Sequence, residues 1–166
     1  MTADAEGALL RQMGRSIPDA PGYRAAEGRA RTESLIREHV AGGLQKLREK
    51  LAGLKASAEE EGEEDMLDDL DRIDERMART IETLNAADYT GVPFFSQPEV
   101  TDHQLARVCT YDKALLEDLD LLTTDIMGIR YETIGNLTLR EAEGTLAAIE
   151  LKITNRKDAF ETAGDE

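Results

Sequence analysis

Residues 51–70 read LAGLKASAEEEGEEDMLDDL, and the phase of their apolar residues decides the fold. Upstream, Val40, Leu44, Leu47, Leu51 and Leu54 are spaced 4, 3, 4 and 3, a heptad seam along one helix face. Continued past Leu54, that seam falls on Ala58, Glu61, Asp65 and Asp68. Three carboxylates on a buried seam are costly. The next apolar series, Met66, Leu70, Ile73, Met77, Thr80, Leu84 and Ala87, keeps the heptad rhythm in a different phase. Gly62 lies between the two, inside a run of acids. The chain is therefore expected to reverse near residues 57–64. The two arms hold about 24 residues each, roughly 36 Å at the rise of an α-helix. The competing arrangement is one bent helix of about 55 residues, roughly 80 Å long.

Charge separates along the same stretch. Residues 24–57 hold eight Arg and Lys against Glu27, Glu33, Glu38 and Glu49. From Glu59 to Glu75 there are eleven acids and one base, Arg72. Folding the basic arm beside the acidic arm brings opposite signs together. Exposed pairs of this kind contribute only tenths of a kcal/mol each, so they select the pairing more than they stabilise it. The same segregation also suits two chains paired antiparallel.

Downstream, residues 87–100, ADYTGVPFFSQPEV, interrupt the helical pattern with Gly91, Pro93 and Pro98. Tyr89, Phe94 and Phe95 either plug the end of a bundle or form an apolar patch for a partner. Thr101 with Gln104 matches a capping box at the start of a third helix. Its seam runs Leu105, Val108, Asp112, Leu115, Leu119, Leu122, Ile126 and Ile129, with Asp112 breaking the apolar character. Thr138 with Glu141 is a second capping box. It precedes a fourth seam of Leu139, Ala142, Leu146, Ile149, Ile153 and Phe160. The expected helices span about 32–57, 64–88, 102–128 and 139–161 within a helical domain of residues 29–163. ETAGDE is read as a polar tail. Residues 1–28 read as a tail and linker with a short helix over Ala3–Met13, free to fold onto the body or to dock elsewhere. The fold class is all-α: antiparallel helical hairpins, either closed into a coiled-coil-like four-helix bundle or set in series.

Composition narrows the function classes. Of 166 residues only seven are aromatic and none is Trp, so the core must rest on Leu, Ile, Met and Ala. A net charge of −15 disfavours duplex nucleic acid and anionic membranes as partners. No stretch approaches the ~20 apolar residues of a membrane span. One cysteine, Cys109, excludes an intramolecular disulfide and a cysteine zinc cage, and with no secretory signal the expected compartment is the reducing cytoplasm.

No chemistry-bearing motif stands out. His39 and His103 follow Ile36 and Val100 at the offset where di-iron bundles place glutamate. Neither phosphate-binding glycine pattern occurs. Cys109 has no base on its own helix face, since His103 lies six residues away. Gly42 and Gly43 either kink their helix or allow a close helix approach. No cofactor, metal or catalytic residue is expected. The chain reads as a non-enzymatic interaction, scaffold or self-assembling protein, with another protein or a second copy as partner. Its contact candidates are Glu59, Glu60, Glu61, Glu63, Glu64 and Asp65 at the reversal, with Tyr89, Phe94 and Phe95. In outline the acidic-tipped hairpin resembles the regulators that enter the secondary channel of RNA polymerase. That resemblance implies a regulator that touches a larger machine through its tip. Those regulators usually carry a cysteine zinc finger where this chain has the cysteine-free YTGVPFFSQPEV, and the arms here are short.

Overall fold

A computed structural model describes residues 2–14 and 16–162. Residues 163–166, the end of the expected polar tail, lie outside the described residues. The described chain is all-helical: α1 (Thr2–Met13), α2 (Ala26–Glu60), α3 (Glu64–Ala86), a single turn α4 (Pro93–Ser96), α5 (Asp102–Met127) and α6 (Asn136–Thr162), with a 3₁₀ turn at Tyr131–Thr133. Among the described residues no helix is long and apolar enough to cross a membrane.

The reversal falls where the phase argument put it. Glu61 to Glu63 separate α2 from α3, and Gly62 sits at φ +69°, in the left-handed region that costs glycine least. The Glu63 N–H donates to the Ala58 carbonyl at 2.9 Å and the Gly62 N–H to the Glu59 carbonyl at 3.2 Å. These two bonds make a Schellman motif and satisfy the last carbonyls of α2. The arms then lie antiparallel. Arg48 donates to Asp74 at 2.8 Å, Lys55 pairs with Asp71 at 3.3 Å and Asp74 at 3.1 Å, and Arg37 reaches the Leu84 carbonyl. Burial alone would raise the Asp74 pKa, but hydrogen bonds from Arg48 and Lys55 hold it below the ordinary carboxylate value.

The second hairpin, α5–α6, is joined by Tyr111 Oη donating to the Lys152 carbonyl and by Lys152 paired with Asp118. It meets the first along two seams, α2 against α5 and α3 against α6. At the first, a Cβ added to Gly43 would lie 3.0 Å from Leu119, so Gly43 allows the close helix approach, whereas Gly42 faces open space. At the second, Arg76 meets Glu150 at 2.8 Å and Arg72 meets Glu143. The backbones of α3 and α5 do not approach each other among the described residues. The chain from α3 to α5 therefore crosses the end of the bundle diagonally, carrying α4 beneath α2 and α6. Apart from half-buried Met66 and Ala87, every residue of the four seams is buried, Asp112 and Thr80 included.

Helix boundaries differ from expectation by three residues or more in three places, the first being the end of α2, which runs on to Glu60 rather than stopping near 57. α2 begins at Ala26 rather than near residue 32, because its first turns are anchored by the preceding segment. Thr32 Oγ1 accepts from the Gly22 N–H and donates to the Gly22 carbonyl, while Pro21 lies over Gly28. α6 begins at Asn136, and the Leu139 N–H bonds to the Gly135 carbonyl. Thr138 thus lies in the first turn of α6 rather than at its cap. The Thr101–Gln104 capping box forms as expected, with both reciprocal bonds present.

The N-terminal segment, expected as a tail and linker, folds onto the body. Its helix α1 packs along α5, and Leu9, Met13, Ile17 and Tyr23 are buried. The core is thin, and this added layer of apolar side chains covers α5 where a bare bundle would expose it.

Candidate functional site: a buried charge cluster at the aromatic end of the bundle

The densest polar chemistry lies where the connection from α3 to α5 closes the bundle. Arg156 of α6 is fully buried and grips Asp112 of α5 with both ends of its guanidinium, Nε to Oδ1 at 2.9 Å and a terminal nitrogen to Oδ2 at 3.0 Å. Its other terminal nitrogen donates to Glu33 Oε1 on α2 at 3.1 Å. Arg37, one turn along α2, holds the same Glu33 through Nε at 2.8 Å. Tyr23, from the segment before α2, donates its hydroxyl to Asp112 Oδ2. Two carboxylates and two guanidiniums balance, and a bidentate Arg–carboxylate pair is among the stronger hydrogen-bonded arrangements.

The surroundings suit a charge held permanently. Burial pulls the Arg156 guanidinium down, but Asp112 and Tyr23 beside it carry it well above its ordinary value. Burial, and then the Asp112 carboxylate, push the Tyr23 hydroxyl well up, so it remains a donor. The guanidinium also lies 5.4 Å from the Phe160 ring centre and 5.8 Å from that of Tyr89. Five of the seven aromatics, Tyr23, Tyr89, Phe94, Phe95 and Phe160, pack there with centroids 4.8–5.8 Å apart.

Arg29 solves a different problem in the same place. It is buried and donates to the backbone carbonyls of Tyr23, Arg24, Phe94, Gln97 and Pro98 at 2.5–3.5 Å. One side chain thereby ties α2 to the segment before it and to the loop around α4. Burial lowers its pKa, and Glu27 opposes that.

Beside the cluster is a groove of about 420 Å³ between α2 and residues 87–96, with Glu33, Arg37, Tyr89 and Phe95 in its walls. Phe94 is buried under the bundle end, while Tyr89 and Phe95 are half-buried and reach the groove. These three aromatics are therefore packed chiefly as the bundle's closing layer. The six acids sit at the opposite end, and Glu59, Glu60, Glu61, Glu63, Glu64 and Asp65 are all exposed. From Arg29 to Glu60 along α2 is about 45 Å, so the two groups of candidates cannot form one site. At the tip, Glu63, Glu64, Asp65 and Asp69 share a groove with Asn136 at the start of α6, whose N-terminal dipole favours negative charge. Among the described residues no group of three or more His, Cys, Asp or Glu side chains is placed to hold a metal ion. Cys109 is buried, and burial, then Glu6 and Asp112, push its thiol up to about 12, which removes thiolate reactivity.

Sequence reasoning missed Arg156, Arg29, Glu33 and Tyr23. Two signals pointed to the cluster. Asp112 occupies a seam position on α5. On α6 the seam steps from Ile153 to Phe160, and the intervening seam position is Arg156. A charge on each of two facing seams is the mark of a buried pair. The chain as a whole has no significant match to any protein-family model, curated protein or solved structure.

Proposed function

We propose that this protein is a non-enzymatic interaction protein that acts through protein–protein contacts in a reducing cytoplasm. The observation that carries this reading is the uneven placement of exposed apolar side chains. Among the described residues five large hydrophobics are left exposed: Leu121, Met127, Leu137 and Leu151 belong to α5 and α6, Leu10 to α1, and none to α2 or α3. Helical geometry places Leu121 and Leu151 on the outer side of the Asp118–Lys152 pair that joins the two helices. A polar chain of net charge −15 that leaves leucines together on one outer face has a surface suited to another protein. The polar groups of the buried cluster are engaged with one another, which suits a structural role for it.

The test is a double substitution, Leu121→Ser with Leu151→Ser. Both side chains are more than half exposed, so the fold should persist. Cross-linking in cells followed by mass spectrometry should show the wild-type protein's partners lost from the variant. An unchanged set of partners overturns the reading.

A second reading is favoured by the exposed acids around Gly62: a regulator that touches a large machine such as RNA polymerase through its tip. Replacing Glu60, Glu61, Glu63 and Glu64 with Gln leaves the hairpin core untouched. Transcription assays with and without that variant decide it, and equal effects of the two proteins remove the tip from consideration.

A further inference from the structure

We propose that α1 and the turn after it form a displaceable cover over a second apolar seam of α5, and that this seam is a docking site for an amphipathic helix of a partner protein. This rests on the interaction reading above and assigns it a surface that the closed structure hides.

α5 carries two seams rather than one. The first runs through Leu105, Val108, Leu115, Leu119 and Leu122 and faces the bundle. Cys109 and Leu116 each lie one position beyond it, seven residues apart on one line of the helix, and both are buried. Four residues further, the same line reaches Asp120, which accepts from Gln12 of α1 at 2.7 Å. At the other end, Glu6 of α1 and Arg24 lie close enough to act on the Cys109 thiol electrostatically. Among the described helices, the backbone of α1 approaches α5 alone. What α1 covers is therefore the line of Cys109 and Leu116.

The cover is built to separate. The backbone N–H groups of Gly14, Ser16, Ile17 and Ala20 donate to the carbonyls of Leu10, Met13 and Ile17, so these bonds travel with α1. Just beyond, the chain is anchored afresh. Gly22 bonds twice to Thr32, Tyr23 donates to Asp112, and Arg29 holds the carbonyls of Tyr23 and Arg24. None of these anchors involves α1. The polar ties across the division, Gln12 to Asp120 and Glu6 to Arg24, lie at the surface, where such contacts contribute little. Burial of Leu9, Met13 and Ile17 supplies the rest of the hold. A helix of 12 residues is marginal by itself, so α1 forms and seats as one event.

α1 also states what the seam accepts. It brings Leu9 and Met13, four residues apart, onto the apolar line. Glu6, three residues before Leu9, meets Arg24, and Gln12, three residues after it, meets Asp120. A helix that replaces α1 needs the same pair of apolar anchors, with a carboxylate on the Arg24 side. On the Asp120 side a Lys or Arg improves on Gln12, because a chain of net charge −15 attracts a cation there. The occupant is thus an amphipathic helix with an acid before its apolar pair and a base within it.

Cys109, the one cysteine of the chain, reports the opening. Its labelling by a soluble aromatic disulfide should vary little with urea below the unfolding transition, since lifting the cover exposes little surface. Leu9→Ser with Met13→Ser should speed labelling at least tenfold and move the urea midpoint of the helical signal little. Leu44→Ala, in the bundle core, should lower that midpoint and leave labelling without urea unchanged. Labelling that tracks global unfolding in all three proteins overturns the cover. A fluorescent peptide with the sequence of residues 2–20 then probes the docking site. It should bind the Leu9→Ser, Met13→Ser protein at least tenfold more tightly than wild type and slow the labelling of Cys109 there. The same peptide with Glu6→Ala should bind more weakly, having lost Arg24. No binding to the opened protein, or binding that leaves Cys109 labelling unchanged, overturns the docking site. The interaction reading then stands on its own test with Leu121 and Leu151.

Discussion

Both ends of the bundle are rich in charge, and they use it in opposite ways. At the reversal, the acids from Glu59 to Asp65 stand in water, and a backbone motif centred on Gly62 does the structural work. At the aromatic end, Asp112, Glu33 and Arg156 are out of water, and each is held by at least one partner of opposite charge. The difference is desolvation. A carboxylate in water needs no partner, and its neighbours change its energy little. A carboxylate in the core without its cation is expensive. One residue type is therefore replaceable at one end and indispensable at the other.

The largest test of that contrast is Arg156→Ala. It leaves Asp112 and Glu33 facing each other with no cation between them, and should lower unfolding stability by about 3–5 kcal/mol in urea titrations at neutral pH. A companion variant separates the cost of breaking the pair from the worth of having it. Tyr23→Phe, Asp112→Leu and Arg156→Met together remove the Asp112–Arg156 pair and the hydroxyl while Arg37 still holds Glu33, and should recover most of the stability that Arg156→Ala loses. If the companion is as unstable as Arg156→Ala, the cluster supplies net stability and the contrast between the ends is weaker than argued.

Next is the aromatic layer that seals the cluster. Phe94→Ser should cost about 3 kcal/mol, and Phe95→Ser clearly less, because Phe94 is fully buried and Phe95 only half so. Equal losses of thermal midpoint would mean that the groove beside Phe95 is closed in solution.

The two ends also differed in how well they could be read. The reversal was legible because it is local. The phase of the seams around Leu54 and Met66 and one glycine sufficed to place it. The four seams were legible for the same reason, since helical periodicity reports burial directly. The cluster was not legible, because it unites Tyr23, Glu33, Asp112 and Arg156, each from a different element. Spacing along one helix says nothing about which seam faces which. Asp112 could be seen as an irregularity, but its cation lies 44 residues away. The N-terminal segment failed for a related reason. Gly14, Pro18, Pro21 and Gly22 mark a non-helical stretch correctly, yet such residues do not report that Ile17 and Tyr23 between and beside them are buried.

Gly62→Ala tests the backbone side of the contrast. Alanine must hold φ near +69°, so the hairpin should lose about 1 kcal/mol, with no dependence on salt. A loss as large as that of Arg156→Ala would show that the reversal carries more of the fold than its local bonds suggest.

The smallest expected effects come from the tip acids, and their signs are the point. Glu59 and Glu60 close α2, where the helix dipole presents its negative end, so replacing them with Gln should raise the thermal midpoint slightly. Glu64 and Asp65 open α3, at the positive end of its dipole, so replacing them with Gln and Asn should lower it slightly. Both shifts should vanish in about 1 M salt, where charges are screened within roughly 3 Å. The destabilisation of Arg156→Ala should persist there, because its charges are shielded by protein rather than by ions. If the tip shifts survive high salt, those acids are held by specific partners, and the tip is more like the buried end than its exposure implies. If instead they fade with salt, the four acids act on the fold only through screened charge–dipole interactions.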